Sequence, residues 1–128
     1  MIRLALVEDD ELYRSQLREY IDKYSAVSGE KFTVTEFSDG DEIALGYKAV
    51  YDIILMDIMM PVMDGMEATR EIRTMNRRDA SAVVIIAMTA NAFTEDKTKA
   101  LKSGMDDYLT KPLESEKLIR ALSRYKHN

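Results

Sequence analysis

Four short apolar runs in this 128-residue chain each end at a polar side chain that is suited to phosphoryl chemistry. The first run leads into Glu8 and Asp9, the second into Asp57, the third into Thr89 and the last into Lys111. Carboxylates can bind Mg²⁺ or act as nucleophiles, a hydroxyl can donate to a phosphoryl oxygen, and an ammonium can neutralise it. If the runs are strands of one parallel sheet, these groups meet at the edge where such sheets bind ligands.

Each of these residues also has a structural explanation that involves no chemistry. An acid at a strand end often caps the following helix, and we expect this role for Asp10 because a first-turn acid complements the helix dipole. Thr89 could bond to nearby backbone, and Lys111 could extend its ammonium into solvent. Asp57 is harder to explain as a cap because no helical pattern follows it directly.

Strand-like and helix-like patterns alternate five times along the chain, with short connections. That alternation predicts one α/β unit with a doubly wound parallel sheet in which the first and third strands are neighbours. The strands are expected near residues 2–7, 32–37, 52–56, 82–88 and 108–109. The helices are expected near residues 11–24, 41–49, 65–76, 94–103 and 115–124.

Composition excludes several classes of function. The net charge of −5 does not favour direct binding of nucleic acid or anionic lipid. No apolar run approaches the roughly 20 residues that span a bilayer. The chain has no cysteine, which excludes thiolate chemistry and suits the cytoplasm. We therefore expect a cytoplasmic domain that binds neither membrane nor nucleic acid.

Four motifs together resemble the receiver domain of response regulators in bacterial two-component signalling. They are LVEDDE at 6–11, ILMDIMMPVMDG at 54–65, IIAMTAN at 85–91 and DYLTKP at 107–112. The resemblance covers nearly the whole chain and implies a single receiver domain over residues 1–128. It also implies a flavodoxin-like fold: a five-stranded parallel sheet in the order 2-1-3-4-5, flanked by five helices.

The resemblance assigns the carboxylates to a phosphoacceptor site with Mg²⁺ as cofactor. Asp57 would accept the phosphoryl group and would bind the metal together with Asp9. Glu8 would act on the metal through a bound water, and the backbone carbonyl of Met59 would be a further ligand. The domain would catalyse its own phosphorylation and dephosphorylation, without being a turnover enzyme on a small substrate.

The resemblance also assigns the residues that bind the phosphoryl group and respond to it. Thr89 would donate to a phosphoryl oxygen, and Lys111 would form an ion pair with the group. Thr89 and Tyr108 would then act as a switch that alters the face formed by the fourth helix, the last strand and the last helix. The peptide bond before Pro112 is expected to be cis.

Two positions that vary in the family tune the phosphoryl lifetime, and here they are Met59 and Asn91. Neither side chain is an evident acid or base for activating water, so we predict slow autodephosphorylation.

The expected partners are a sensor histidine kinase or a histidine phosphotransfer domain, and a phosphorylation-linked homodimer could form through the last strand and its flanking helices. The sequence leaves open whether the chain is a stand-alone regulator or a receiver taken from a DNA-binding regulator or hybrid kinase. A catalytically silent receiver-like binding module is the main alternative. Hydrolases of the haloacid-dehalogenase type are disfavoured because Met59 stands where their second aspartate would be, and flavodoxins because acids replace their phosphate-binding loop.

Overall fold

The computed structural model describes residues 2–45, 47, 51–58, 63–74, 83–89, 94–111 and 114–124, with residues 94–97 described by their backbone alone. The strands are Ile2–Val7 (β1), Phe32–Phe37 (β2), Ile53–Asp57 (β3), Val84–Thr89 (β4) and Asp107–Thr110 (β5). The described helices are Glu11–Ser28 (α1), Gly40–Ala44 (α2), Gly65–Arg73 (α3), Thr94–Lys102 (α4) and Ser115–Arg124 (α5). None of these helices has the length and apolar character needed to cross a membrane.

The five strands form one parallel sheet in the order β2-β1-β3-β4-β5, as predicted. The register aligns Val7 with Met56 and Asp57 with Met88. The carboxyl ends of β1, β3 and β4 therefore lie side by side. Strands buried on both faces are rich in continuous apolar sequence, which is why the central runs of this chain could be recognised.

Alternate residues of the strands supply two apolar cores, one on each face of the sheet. The side chains of α2, α3 and α4 pack on one face, where the core includes Val7, Met56 and Ala87. The side chains of α1 and α5 pack on the other face, where the core includes Leu6 and Leu55. This two-sided burial fixes the strand ends, and with them the positions of the polar residues that follow.

Several element boundaries differ from the sequence prediction. α1 continues to Ser28, four residues past the predicted end, and stops at Gly29, whose φ of 77° is left-handed. The last turn of α1 is mostly exposed, including the side chain of Val27, so no buried apolar stripe marks the continuation. The predicted strand over 52–56 instead ends at Asp57, and the predicted helix over 65–76 is described only to Arg73.

Candidate functional site

The carboxyl edge of the sheet brings three acidic side chains together. Glu8 and Asp9 directly follow β1, and Asp57 is the last residue of the neighbouring strand β3. One carboxylate oxygen from each residue lies within 4.8 Å of the others. Asp10, by contrast, accepts hydrogen bonds from the backbone N–H groups of Leu12 (3.0 Å) and Tyr13 (3.2 Å). Asp10 is therefore the cap of α1, as predicted, and the other three acids form the cluster.

Two of the clustered carboxylates are almost completely removed from solvent. Glu8 is 0% exposed and Asp57 is 3% exposed, whereas Asp9 lies at the surface. The Oε2 atom of Glu8 is buried and has no hydrogen-bond partner among the described residues. A buried carboxylate oxygen in that state is unfavourable unless a proton or a cation reaches it.

Lys111 supplies positive charge to these buried acids. Its Nζ lies 2.6 Å from Oε1 of Glu8 and 3.3 Å from Oδ1 of Asp57. The backbone holds Lys111 in place, because its N–H donates to the carbonyl of Thr89 at 2.7 Å just after β5 ends. The same Nζ lies 4.5 Å from the centre of the Tyr13 ring. The ammonium is thus enclosed by two carboxylates and one aromatic ring.

The electrostatic environment shifts the acid–base behaviour of this cluster. Burial and the neighbouring Glu8 carboxylate raise the pKa of Asp57 from 3.8 to about 7, although Lys111 opposes the shift. Burial and the nearby Asp57 also raise the pKa of Asp9. Burial lowers the pKa of Lys111, but Glu8 and Asp57 outweigh it, so the pKa lies above its usual value. Like charges held together in this way favour a bound proton or cation.

The donor set of the cluster fits Mg²⁺. All three side chains offer carboxylate oxygens, which this ion prefers, and it binds through one or two carboxylates while keeping several waters. The unsatisfied oxygen of Glu8 is an acceptor that a metal-bound water could reach. Asp9 lies on the exposed side of the cluster, where an ion can enter from solvent.

Thr89 and Tyr108 lie on β4 and β5, the two strands that follow β3 in the order of the sheet. Thr89 is the last residue of β4, is 4% exposed and pairs in register with Thr110. Tyr108 pairs with Ala87, is partly buried and packs against the core beneath α2, α3 and α4. The structure therefore places Thr89 at the carboxyl edge of the sheet and Tyr108 on the neighbouring strand, two residues before the end of β5.

Three structural supports of the site were not anticipated from the sequence: Arg14, Gly65 and Tyr13. Arg14 donates to the backbone carbonyl of Glu8 at 2.6 Å while it pairs with Glu36 at 3.1 Å. A Cβ at Gly65 would clash with the carbonyl oxygen of Asp57, so only glycine allows α3 to start so close to β3. Of the three, only Gly65 could have been noticed in the sequence, because it follows the helix cap Asp64. Arg14 and Tyr13 look like ordinary helix residues.

Three predicted positions lie outside the described residues. They are Met59, whose carbonyl was expected to bind the metal, Asn91, expected to affect the phosphoryl lifetime, and Pro112, expected to follow a cis peptide bond. Their predicted roles stay predictions.

Comparison with known proteins identifies a family. The family model of the response regulator receiver domain matches residues 4–123 of this chain. The two-component response regulator ORR41 of Oryza sativa subsp. japonica is 36% identical over 130 residues, covering 98% of this chain and 95% of that protein. Other matching proteins, including histidine kinases and a transcriptional regulatory protein, are longer, and this chain spans between 5% and 45% of their length.

Two solved structures share the fold over nearly the whole chain. The receiver domain of sensor histidine kinase PA1611 from Pseudomonas aeruginosa PAO1 has a TM-score of 0.81 and 36% identity, covering 97% of this chain and 96% of that one. That structure has a magnesium ion coordinated in the active site cleft. The Saccharomyces cerevisiae receiver domain of Ssk1, crystallised with the histidine phosphotransfer protein Ypd1, has a TM-score of 0.83 and 29% identity, covering 97% and 88%.

Proposed function

Because the chain belongs to the family of response regulator receiver domains, we propose that it is a signalling switch that accepts a phosphoryl group on Asp57. The donor is a phosphohistidine on a histidine kinase or a histidine phosphotransfer protein. The observation that carries this proposal is the environment of Asp57, a buried carboxylate at the end of β3 with the Lys111 ammonium 3.3 Å away. Over residues 1–128 the chain acts as one receiver domain.

Mg²⁺ is the cofactor that the acidic cluster would hold. Asp9 and Asp57 would bind it directly, Glu8 would bind through a water, and the carbonyl of Met59 would complete the protein ligands. When bound, the ion neutralises negative charge on the phosphoryl oxygens. The unsatisfied Glu8 oxygen and the raised pKa of Asp57 support this assignment, because burial withdraws both carboxylates from water and the Lys111 ammonium, which contacts both, does not offset the effect of burial and of the neighbouring carboxylate.

In the transfer step, a carboxylate oxygen of Asp57 attacks the phosphorus atom. The phosphorus–nitrogen bond to the donor histidine breaks, and its electron pair returns to the imidazole. Lys111 neutralises charge on the phosphoryl oxygens, and the Thr89 hydroxyl donates a hydrogen bond to one of them. The contribution of these residues is positioning and electrostatic stabilisation, as in other phosphoryl transfers.

The phosphoryl group acts as a switch because it interacts differently with two conformations. Movement of Thr89 toward the group leaves space into which Tyr108 can rotate, which alters the face formed by α4, β5 and α5. Output through that face, to a partner or to a second copy of the chain, is part of the proposal. A cytoplasmic location stays a prediction of the sequence.

Labelling with acetyl phosphate tests the proposal directly. The wild-type chain should incorporate one phosphoryl group when Mg²⁺ is present and none when the metal is chelated. Borohydride reduces an aspartyl phosphate to homoserine, so peptide mass spectrometry should find homoserine at position 57. Asp57→Ala should abolish the label. Full labelling of that variant would move the acceptor site to another residue. Failure of the wild type to label and to bind beryllofluoride with Mg²⁺ would favour a catalytically silent receiver-like binding module.

Slow loss of the label is a second expectation. The side chains at positions 59 and 91 are methionine and asparagine, which supply no acid or base for activating water. A phosphoaspartate half-life of seconds would contradict this expectation.

A further inference from the structure

Lys111 is in contact with an aromatic ring as well as with two carboxylates. Its Nζ lies over the Tyr13 ring, 4.5 Å from the centroid, which is within the range of a cation–π interaction. We propose that Tyr13 is a positioning residue for phosphoryl transfer, holding the Lys111 ammonium where it can meet the incoming group. This inference rests on the proposed function, since it concerns the same reaction.

The ring itself is held in place by the start of α1. Tyr13 lies in the first turn of the helix, where its backbone N–H donates to the capping carboxylate of Asp10 at 3.2 Å. Its side chain is partly buried and packs against the core beneath α1 and α5. The acids and the ring follow one another at the end of β1, so the loop that positions Glu8 and Asp9 also positions the ring.

The ring acts differently from the two carboxylates on the ammonium. Glu8 attracts Lys111 strongly, at 2.6 Å, and would draw it away from Asp57, which lies 3.3 Å from the same nitrogen. An aromatic face attracts a cation through its quadrupole without taking up a hydrogen-bonding oxygen. Lys111 can therefore turn N–H groups from the carboxylates to phosphoryl oxygens while it keeps its contact with the ring.

The size of the expected effect follows from the strength of such contacts. A cation–π interaction of this kind corresponds to a factor of about three to thirty in an equilibrium or rate constant when it is lost. A change at position 13 leaves the three carboxylates of the acidic cluster in place, including the Asp57 nucleophile. Loss of the ring should therefore slow phosphoryl transfer while the affinity for Mg²⁺ alone stays the same.

Three variants of Tyr13 and one matched control test this proposal. Tyr13→Phe keeps the ring, whereas Tyr13→Leu and Tyr13→Met remove it with two different aliphatic shapes. Tyr24→Leu is the control, because Tyr24 is on the same helix and packs against Phe32, 5.9 Å between ring centroids. The measurements are the rate of labelling by acetyl phosphate at saturating Mg²⁺, the dissociation constant for Mg²⁺ alone by calorimetry, and the melting temperature.

The expected result is a separation of labelling from metal binding and stability. Tyr13→Phe should label at the wild-type rate, and the two aliphatic variants about three- to thirtyfold more slowly with unchanged Mg²⁺ affinity. Tyr24→Leu should lower the melting temperature but label normally. Wild-type labelling rates in both folded aliphatic variants would overturn the proposal, as would parallel losses of Mg²⁺ affinity and labelling. Failure of the wild-type chain to label would instead overturn the proposed function itself.

Discussion

Acidic residues lie at both ends of the sheet, but they are paired with basic residues differently at the two ends. At the amino end, Asp52 precedes β3 and accepts the backbone N–H of Arg3 at 2.8 Å, and the Arg3 guanidinium pairs with it at 3.1 Å. Asp106 precedes β5 and repeats this arrangement, with the N–H of Ile85 at 2.8 Å and the Arg73 guanidinium at 2.8 Å. Each aspartate joins two neighbouring strands and has an arginine as its counterion.

At the carboxyl end the acids are not matched in this way. Glu8 and Asp57 both approach Lys111, Asp9 adds a third carboxylate, and one buried oxygen of Glu8 has no partner within the described ranges. The amino end is therefore complete without any ligand, whereas the carboxyl end carries excess negative charge. Removal of an acid should weaken the fold at the first end and abolish chemistry at the second.

The largest expected difference is between substitutions at the two ends of β3, measured as the extent of phosphoryl labelling. Asp57→Asn should abolish labelling by acetyl phosphate, because an amide is not a carboxylate nucleophile. Asp52→Asn makes the same change at the other end of the strand and should label at the wild-type rate. Quantitative mass spectrometry of the intact chain checks both. Loss of labelling in the two variants alike would show that the comparison between the ends does not hold.

The next largest effect is expected from the basic residues of the two ends. Lys111→Met should slow labelling about 100-fold, the usual effect of removing one charged or hydrogen-bonding group that stabilises a transition state. Arg3→Met removes the counterion of Asp52 and should leave the labelling rate unchanged. Time courses at saturating Mg²⁺ and acetyl phosphate measure both rates. A Lys111→Met variant that labels as fast as the wild type would exclude the proposed role of the ammonium.

Much of the carboxyl end could be predicted from the sequence because topology alone brings it together. Continuous apolar runs marked the buried strands, and parallel strands end at one edge, so Glu8, Asp57 and Thr89 had to be neighbours. The amino end was not anticipated. Asp52 and Asp106 are ordinary acids at strand starts, and their arginine partners lie 49 and 33 residues away along the chain.

Side-chain contacts around the site were also beyond the sequence. Tyr13, Tyr20 and Tyr24 all pack against the same core, and nothing in the helical pattern of α1 indicates that Tyr13 alone of the three also contacts Lys111. Arg14 reaches the carbonyl of Glu8 from the same helix, a contact that depends on how α1 lies across the sheet. Helix orientation is set by packing, and local periodicity contains no information on it.

At the amino end, removal of Asp106 should destabilise the fold, as expected for an ion pair with a structural role. Asp106→Ala leaves the buried N–H of Ile85 without its acceptor and Arg73 without its counterion, and should lower the free energy of unfolding by about 1–3 kcal/mol. Asp106→Asn keeps an acceptor and should lose less. Urea unfolding followed by circular dichroism measures both. Equal stability of Asp106→Ala and the wild type would mean that this pairing contributes nothing to the fold.

The opposite sign is expected at the carboxyl end, where Asp57→Asn should stabilise the metal-free fold. The unfolded chain loses the Asp57 proton near its ordinary pKa of 3.8, whereas the folded chain keeps it until about pH 7, the raised pKa. Between these values the folded state binds more protons, so the stability of the wild type falls as pH rises, and the loss is complete above the raised pKa. The asparagine variant lacks this titration. With a chelator present to remove metal ions, the melting temperature of the variant should exceed that of the wild type by on the order of 5 °C at about pH 8. The difference should shrink steadily as the pH is lowered toward about pH 5. A difference that stays constant over this range would show that the buried carboxylate does not carry the predicted proton.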